Sequence, residues 1–140
     1  MTPIFLKNTN QETIVKFTGD TEDYTLDFSE LTQTNTQQLI DGGTPIVNIV
    51  GVSWVGEPDS AIVISRDGTV IFSLPGDQPQ MFNFQGQGFV DSVQNTEDIY
   101  VDITGIASVY LTLRKEEGWE TFVEGATYGS YDDPTQVGPY

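Results

Sequence analysis

The chain of 140 residues has no cysteine, no histidine, and only five Lys plus Arg against 21 Asp plus Glu, for a formal charge of -16. Without cysteine there is no disulfide, no thiolate nucleophile and no cysteine zinc site. Without histidine, the commonest general base at neutral pH and the commonest transition-metal ligand are both missing. So few cations argue against nucleic acid, whose affinity comes largely from Lys and Arg neutralising phosphates. Long hydrophobic runs are absent as well. No stretch approaches the roughly 18 to 20 apolar residues of a membrane-spanning helix. Residues 1–10 (MTPIFLKNTN) hold only the short run Ile4-Phe5-Leu6, less than a signal peptide needs. A chain without cysteine also suits folding in a reducing cytosol. These absences point to a soluble, non-enzymatic domain with no cofactor and no nucleic-acid or membrane partner.

What is present favours strands. Apolar residues recur at period two: Tyr24, Leu26 and Phe28; Ile99, Val101 and Ile103; Val109, Leu111 and Leu113. Each run has the pattern of a strand with one face on a core and one in water. Seventeen threonines, many Val and Ile, and several aromatics favour pleated structure over helix. A single domain of this size buries roughly two-thirds of its unfolded surface, enough for a core without disulfide or metal.

Turn signals separate the runs. Asp67-Gly68 lies between residues 61–65 (AIVIS) and 69–74 (TVIFSL) and predicts a hairpin, because Gly supplies the positive φ such turns need. Residues 8–12 (NTNQE) separate Ile4-Phe5-Leu6 from residues 13–17 (TIVKF), and Gly105-Ile106-Ala107 predicts a turn between the last two alternating runs. Residues 46–55 (IVNIVGVSWV) carry apolar side chains at both parities, as a strand covered on both faces or kinked by a bulge near Gly51 would. Residues 29–40 hold too much Thr for a long helix and predict a short turn. The expectation is all-β: eight to ten short strands in an antiparallel β-sandwich or jelly-roll-like domain over residues 1–126, with short irregular N- and C-terminal arms. Residues 127–140 (TYGSYDDPTQVGPY), rich in Tyr, Gly, Pro and Asp, form the C-terminal arm.

Carboxylates are the only plentiful reactive groups. The pairs Glu22-Asp23, Glu116-Glu117 and Asp132-Asp133 do not converge on a substrate if they lie on strands, because neighbours there point to opposite faces. Asp20-Thr21-Glu22-Asp23 could supply oxygens to calcium but lacks the spacing of a calcium loop, so a solvated turn is expected there. Gly42-Gly43-Thr44-Pro45 has no following Lys and no helix, so it is not a phosphate loop. The aromatics of residues 81–89 (MFNFQGQGF) have only the lone cation Arg66 nearby, too little for a single-strand groove. Trp54, inside the most apolar run, is expected in the core. Trp119, beside Glu116-Glu117-Gly118, is the better exposed anchor, for a sugar ring or for a protein partner.

Four blocks in order along the chain carry a resemblance: residues 7–19 (KNTNQETIVKFTG), 48–56 (NIVGVSWVG), 110–121 (YLTLRKEEGWET) and 129–138 (GSYDDPTQVG). Together they resemble small virion structural proteins of tailed phages, most closely those of marine and cyanobacterial phages. The resemblance implies a component present in many copies, first of all a capsid decoration (cement) protein. It would be made in the host cytoplasm and docked in the virion on the major capsid protein or another virion protein. It also implies a possible homo-oligomer and no catalytic residue. Contacts are expected from the N-terminal arm, residues 1–7, from the C-terminal arm, and from sheet edges; Trp119, Tyr128, Tyr131 and Tyr140 are the candidate partner contacts. A neck, tail or fibre accessory, or a carbohydrate-binding module, is the alternative.

Overall fold

A computed structural model describes residues 1–32, 37–40, 43–78, 81–83 and 94–121. Nine strands and one 3-10 turn follow along these residues: β1 (Ile4–Asn8), β2 (Glu12–Leu26), the turn Phe28–Leu31, β3 (Gln37–Leu39), β4 (Val47–Gly56), β5 (Ala61–Arg66), β6 (Thr69–Pro75), β7 (Met81–Asn83), β8 (Ile99–Lys115) and β9 (Trp119–Thr121). Every pairing is antiparallel. Seven strands form one sheet, ordered β1-β2-β8-β4-β7, with the β5–β6 hairpin also joined to β8; β3 and β9 form a separate ribbon. The protein is all-β and antiparallel, as its period-two pattern requires.

Two strands are much longer than expected. β2 has 15 residues and β8 has 17. The turn expected at Gly105-Ile106-Ala107 is therefore not there, and β8 runs through it. Gly105 does take a positive φ of 75°, but the result is a kink, because β2 alongside is deformed at the same level. Thr21 sits at φ 55°, its Oγ1 accepts from the Gly105 N–H at 3.0 Å, and the β2–β8 register shifts between Asp20 and Glu22. Asp20-Thr21-Glu22-Asp23 is thus an exposed part of a strand, facing a bulge in which β8 sets Thr104 and Gly105 against Thr21 alone, and not a turn between strands.

The bulge has a consequence for the core. The extra residue is in β8, and it changes the parity of the β2 side chains that share β8's buried face. Before it, β2 buries the odd positions Thr13, Val15 and Phe17; after it, Leu26. β8 buries Ile99, Val101, Ile103, Ala107, Val109, Leu111 and Leu113, all odd. The buried side chains thereby fall on one face of the sheet on both sides of the kink, while residues 18–25 of β2 and 104–106 of β8 at the kink itself are not buried. In β4 a similar shift between Ile49 and Gly51 accompanies burial of every residue from Val47 to Val52. Both readings of that run, covered on two faces and bulged near Gly51, are present.

β4 and β5 lie on the same side of β8, opposite residues 107–115 and 100–104 respectively, with residues 57–60 between them. The Ser60 backbone packs against Gly105, where an added Cβ would come within 3.1 Å. The sheet therefore kinks across three strands at one level and doubles over, its buried faces meeting in one cluster that includes Phe17, Leu26, Phe28, Trp54, Ile62, Val101 and Leu113. Fully burying such a side chain contributes about 1.5 to 3 kcal/mol.

Local chemistry sets the turns. Asp67 (φ 49°) and Gly68 (φ 76°) form the β5–β6 reversal, two positive φ values in succession as Asp-Gly predicts. Thr9 Oγ1 accepts from the Glu12 N–H at 3.0 Å and closes the β1–β2 hairpin. The 3-10 turn starts at a capping box: Asp27 accepts from the Ser29 N–H, and the Glu30 carboxylate accepts from the Asp27 N–H, each at 2.9 Å. It buries Phe28 and Leu31 and is the short turn expected in residues 29–40.

Candidate functional site

The N-terminal arm is not irregular. Residues 4–8 form β1, which pairs with β2 on one side and, among the described residues, has no strand on the other. Ile4, Phe5 and Leu6 keep 52%, 38% and 56% of their surface exposed. Such a run is unusual at a sheet edge, which proteins commonly blunt with charge. Between Phe5 and Lys7 the β1–β2 register shifts, so Leu6 is an extra residue that faces solvent.

The charges around β1 cancel. Lys7 Nζ lies 2.7 Å from Glu12 Oε1, and the Met1 ammonium lies 2.5 Å from Glu22 Oε1. The ammonium, together with the Asp20 N–H, holds the Glu22 carboxyl below its ordinary range. No acid occurs before Glu12 in the sequence. In a chain of charge -16, β1 is a strip that is both apolar and locally neutral.

The other nominated residues fall elsewhere. Tyr128, Tyr131 and Tyr140 lie outside the described residues, as do Asp132-Asp133 and most of residues 81–89. Trp54 is in the core, 5% exposed, with Nε1 donating to the Pro75 carbonyl at 2.9 Å. Trp119, expected as an exposed anchor, is half-buried. It packs against the core, 6.1 Å from the Phe28 ring, and donates from Nε1 to the Ile46 carbonyl at 3.2 Å. Its ring also sits 5.1 Å from the Lys115 ammonium. Of the carboxylate pairs, Glu22 is held by the N-terminus and Glu116 pairs with Arg114.

No protein-family model and no curated protein matches this chain.

Two buried cations escaped the reading of residues alone. Arg66, the cation expected to stand by itself, is 1% exposed, and its guanidinium donates to the carbonyls of Val47, Asn95 and Glu97. Lys115 is 6% exposed; its Nζ donates to Asn8 Oδ1, the Thr9 and Leu31 carbonyls, and Gln37 Oε1. Burial lowers its pKa to about 8. Two of the five cations are therefore withdrawn into the fold, which leaves the surface more acidic than the composition implies. A cleft of about 290 Å³ between Trp54, Phe72, Leu74 and Gln78 has no charged group in its lining.

Proposed function

We propose that the protein is a non-enzymatic structural component of a phage virion, a capsid decoration protein that docks on the shell and stabilises it. The observation that carries this reading is β1: an open, apolar, neutral strand on an otherwise acidic domain. An edge strand supplies main-chain hydrogen bonds to a partner strand, and its alternate side chains supply specificity. Docking that favours the assembled shell over its separated subunits stabilises the particle by mass action. The resemblance of the four sequence blocks to tailed-phage virion proteins supports the setting, with the major capsid protein or another virion protein as partner. The acidic surface supports it too, since mutual repulsion away from β1 disfavours non-specific association of free copies. The carbohydrate reading draws no support from Trp119, whose ring and Nε1 are both engaged within the fold.

The test uses phage particles with and without the protein, challenged by heat and by osmotic shock. Particles lacking it should lose infectivity faster, and adding back wild-type protein should restore resistance where Leu6→Lys does not. Equal inactivation of the two kinds of particle would rule out cementing.

A further inference from the structure

We infer that β1 is a self-association edge, and that its occupant in the free protein is β1 of a second copy, paired antiparallel about a twofold axis. The inference extends the docking role proposed for this edge but commits to a different partner, another molecule of the same chain.

Electrostatics select this occupant. Two molecules that each carry -16 repel over most of their surfaces. At β1 the repulsion is least, because Lys7 and the Met1 ammonium are each neutralised within their own chain by Glu12 and Glu22. A basic partner would find no acid on the strand itself, and an acidic partner would find its two positive charges already taken. A neutral apolar edge fits another neutral apolar edge.

The strand is also self-complementary. An antiparallel pair centred on Phe5 sets Ile4 against Leu6 of the second copy and Lys7 against its Pro3, so no cation meets a cation. Like charges directly opposite each other would destabilise such a pair, whereas apolar cross-strand neighbours stabilise it. Ile4, Phe5 and Leu6, all exposed in the single chain, would each gain an apolar neighbour. The bulge at Leu6 keeps the ladder short, so the pair should be a reversible one that a docking partner can displace.

The absence of cysteine makes the test clean. Single-cysteine variants Ile4→Cys, Phe5→Cys, Leu6→Cys and Val70→Cys of the full chain would be oxidised at matched concentration, and disulfide-linked dimers followed in time. Val70 is 59% exposed on β6 and serves as the comparison site. Dimers should form at least ten-fold faster at one of positions 4 to 6 than at position 70. In parallel, sedimentation equilibrium of the wild type should show a dimer fraction that grows with added NaCl, as screening weakens the repulsion elsewhere. Leu6→Lys should abolish that fraction, and Val70→Lys should leave it unchanged. Equal cross-linking at all four positions would overturn the inference, as would a wild type that stays monomeric at every salt concentration. A monomeric wild type that still protects particles would leave the docking role standing and assign β1 to the shell alone.

Discussion

Arg66 Nη1 donates to the Val47 carbonyl at 2.7 Å, although the two residues close opposite ends of the sheet. Val47 pairs with Lys115 of β8, and Ser65, beside Arg66, pairs with Tyr100. On a straight strand those two β8 residues would be about 50 Å apart. The contact is possible because the sheet doubles over at Thr21, Gly105 and residues 57–60, and the guanidinium then ties the two ends together.

Replacing Arg66 with Met should therefore destabilise the fold by at least about 2 kcal/mol, since the Val47, Asn95 and Glu97 carbonyls lose a charged donor in a buried place. Arg66→Lys should recover only part of the loss, because an ammonium cannot reproduce the fork that reaches three carbonyls. Urea denaturation monitored by tryptophan fluorescence measures both. A loss within 0.5 kcal/mol, on the order of a surface substitution, would mean the ends are held by other contacts.

Lys115 gives a pH dependence with a defined sign. Its ordinary pKa is 10.5, and burial lowers it to about 8 in the folded chain. Between these values the unfolded chain holds a proton that the folded chain has released, so this group's contribution to stability rises with pH. Below about pH 8 the residue is charged in both states and its contribution is flat. The stability of wild type minus that of Lys115→Met should accordingly be constant up to about pH 8 and climb from there towards pH 10.5. Taking the difference cancels the tyrosines and every other group common to both proteins. A difference that falls over this range would reverse the assignment.

Gly105→Ala should cost about 1 to 2 kcal/mol. Its φ of 75° disfavours a side chain, and the new Cβ would lie 3.1 Å from the Ser60 backbone. Thr21→Asn should be nearly neutral by comparison, because Asn tolerates a positive φ and keeps an oxygen for the Gly105 N–H. Chemical denaturation of the two variants, ranked against wild type, separates a strained kink from a loose one; equal stabilities would mean the kink is soft.

Trp119→Ala should act on stability, by about 3 kcal/mol or more, through the lost packing on Phe28 and Lys115. The melting temperature and particle binding of the variant should be measured together. Unchanged melting with lost binding would return Trp119 to the role of a partner contact.

Much of the local structure was legible in the residues. Alternation placed the end of β2 and the two halves of β8, though Phe28 belongs to the 3-10 turn, Asp67-Gly68 placed a hairpin, and the double-parity run marked β4 together with its bulge. Trp54 was correctly assigned to the core, because its neighbours are apolar at both parities. The candidate site was less legible. Ile4-Phe5-Leu6 was recognised as an apolar run, but its neutrality depends on Glu12 and Glu22, acids that belong to the pattern of another strand.

Period and turn chemistry are short-range properties, so the sequence by itself determined that the protein is all-β and antiparallel and where the β1–β2 and β5–β6 hairpins reverse. Whether Gly105 turns the chain or only kinks it was decided by its neighbour across the sheet, since a glycine at positive φ serves either and β2 pairs on both sides of it, with Thr21 Oγ1 accepting from its N–H. The burial of Arg66 and Lys115 was likewise a tertiary outcome. No local pattern marks either as buried; the doubled sheet brings oxygens from distant segments around them, and such oxygens offset the loss of water.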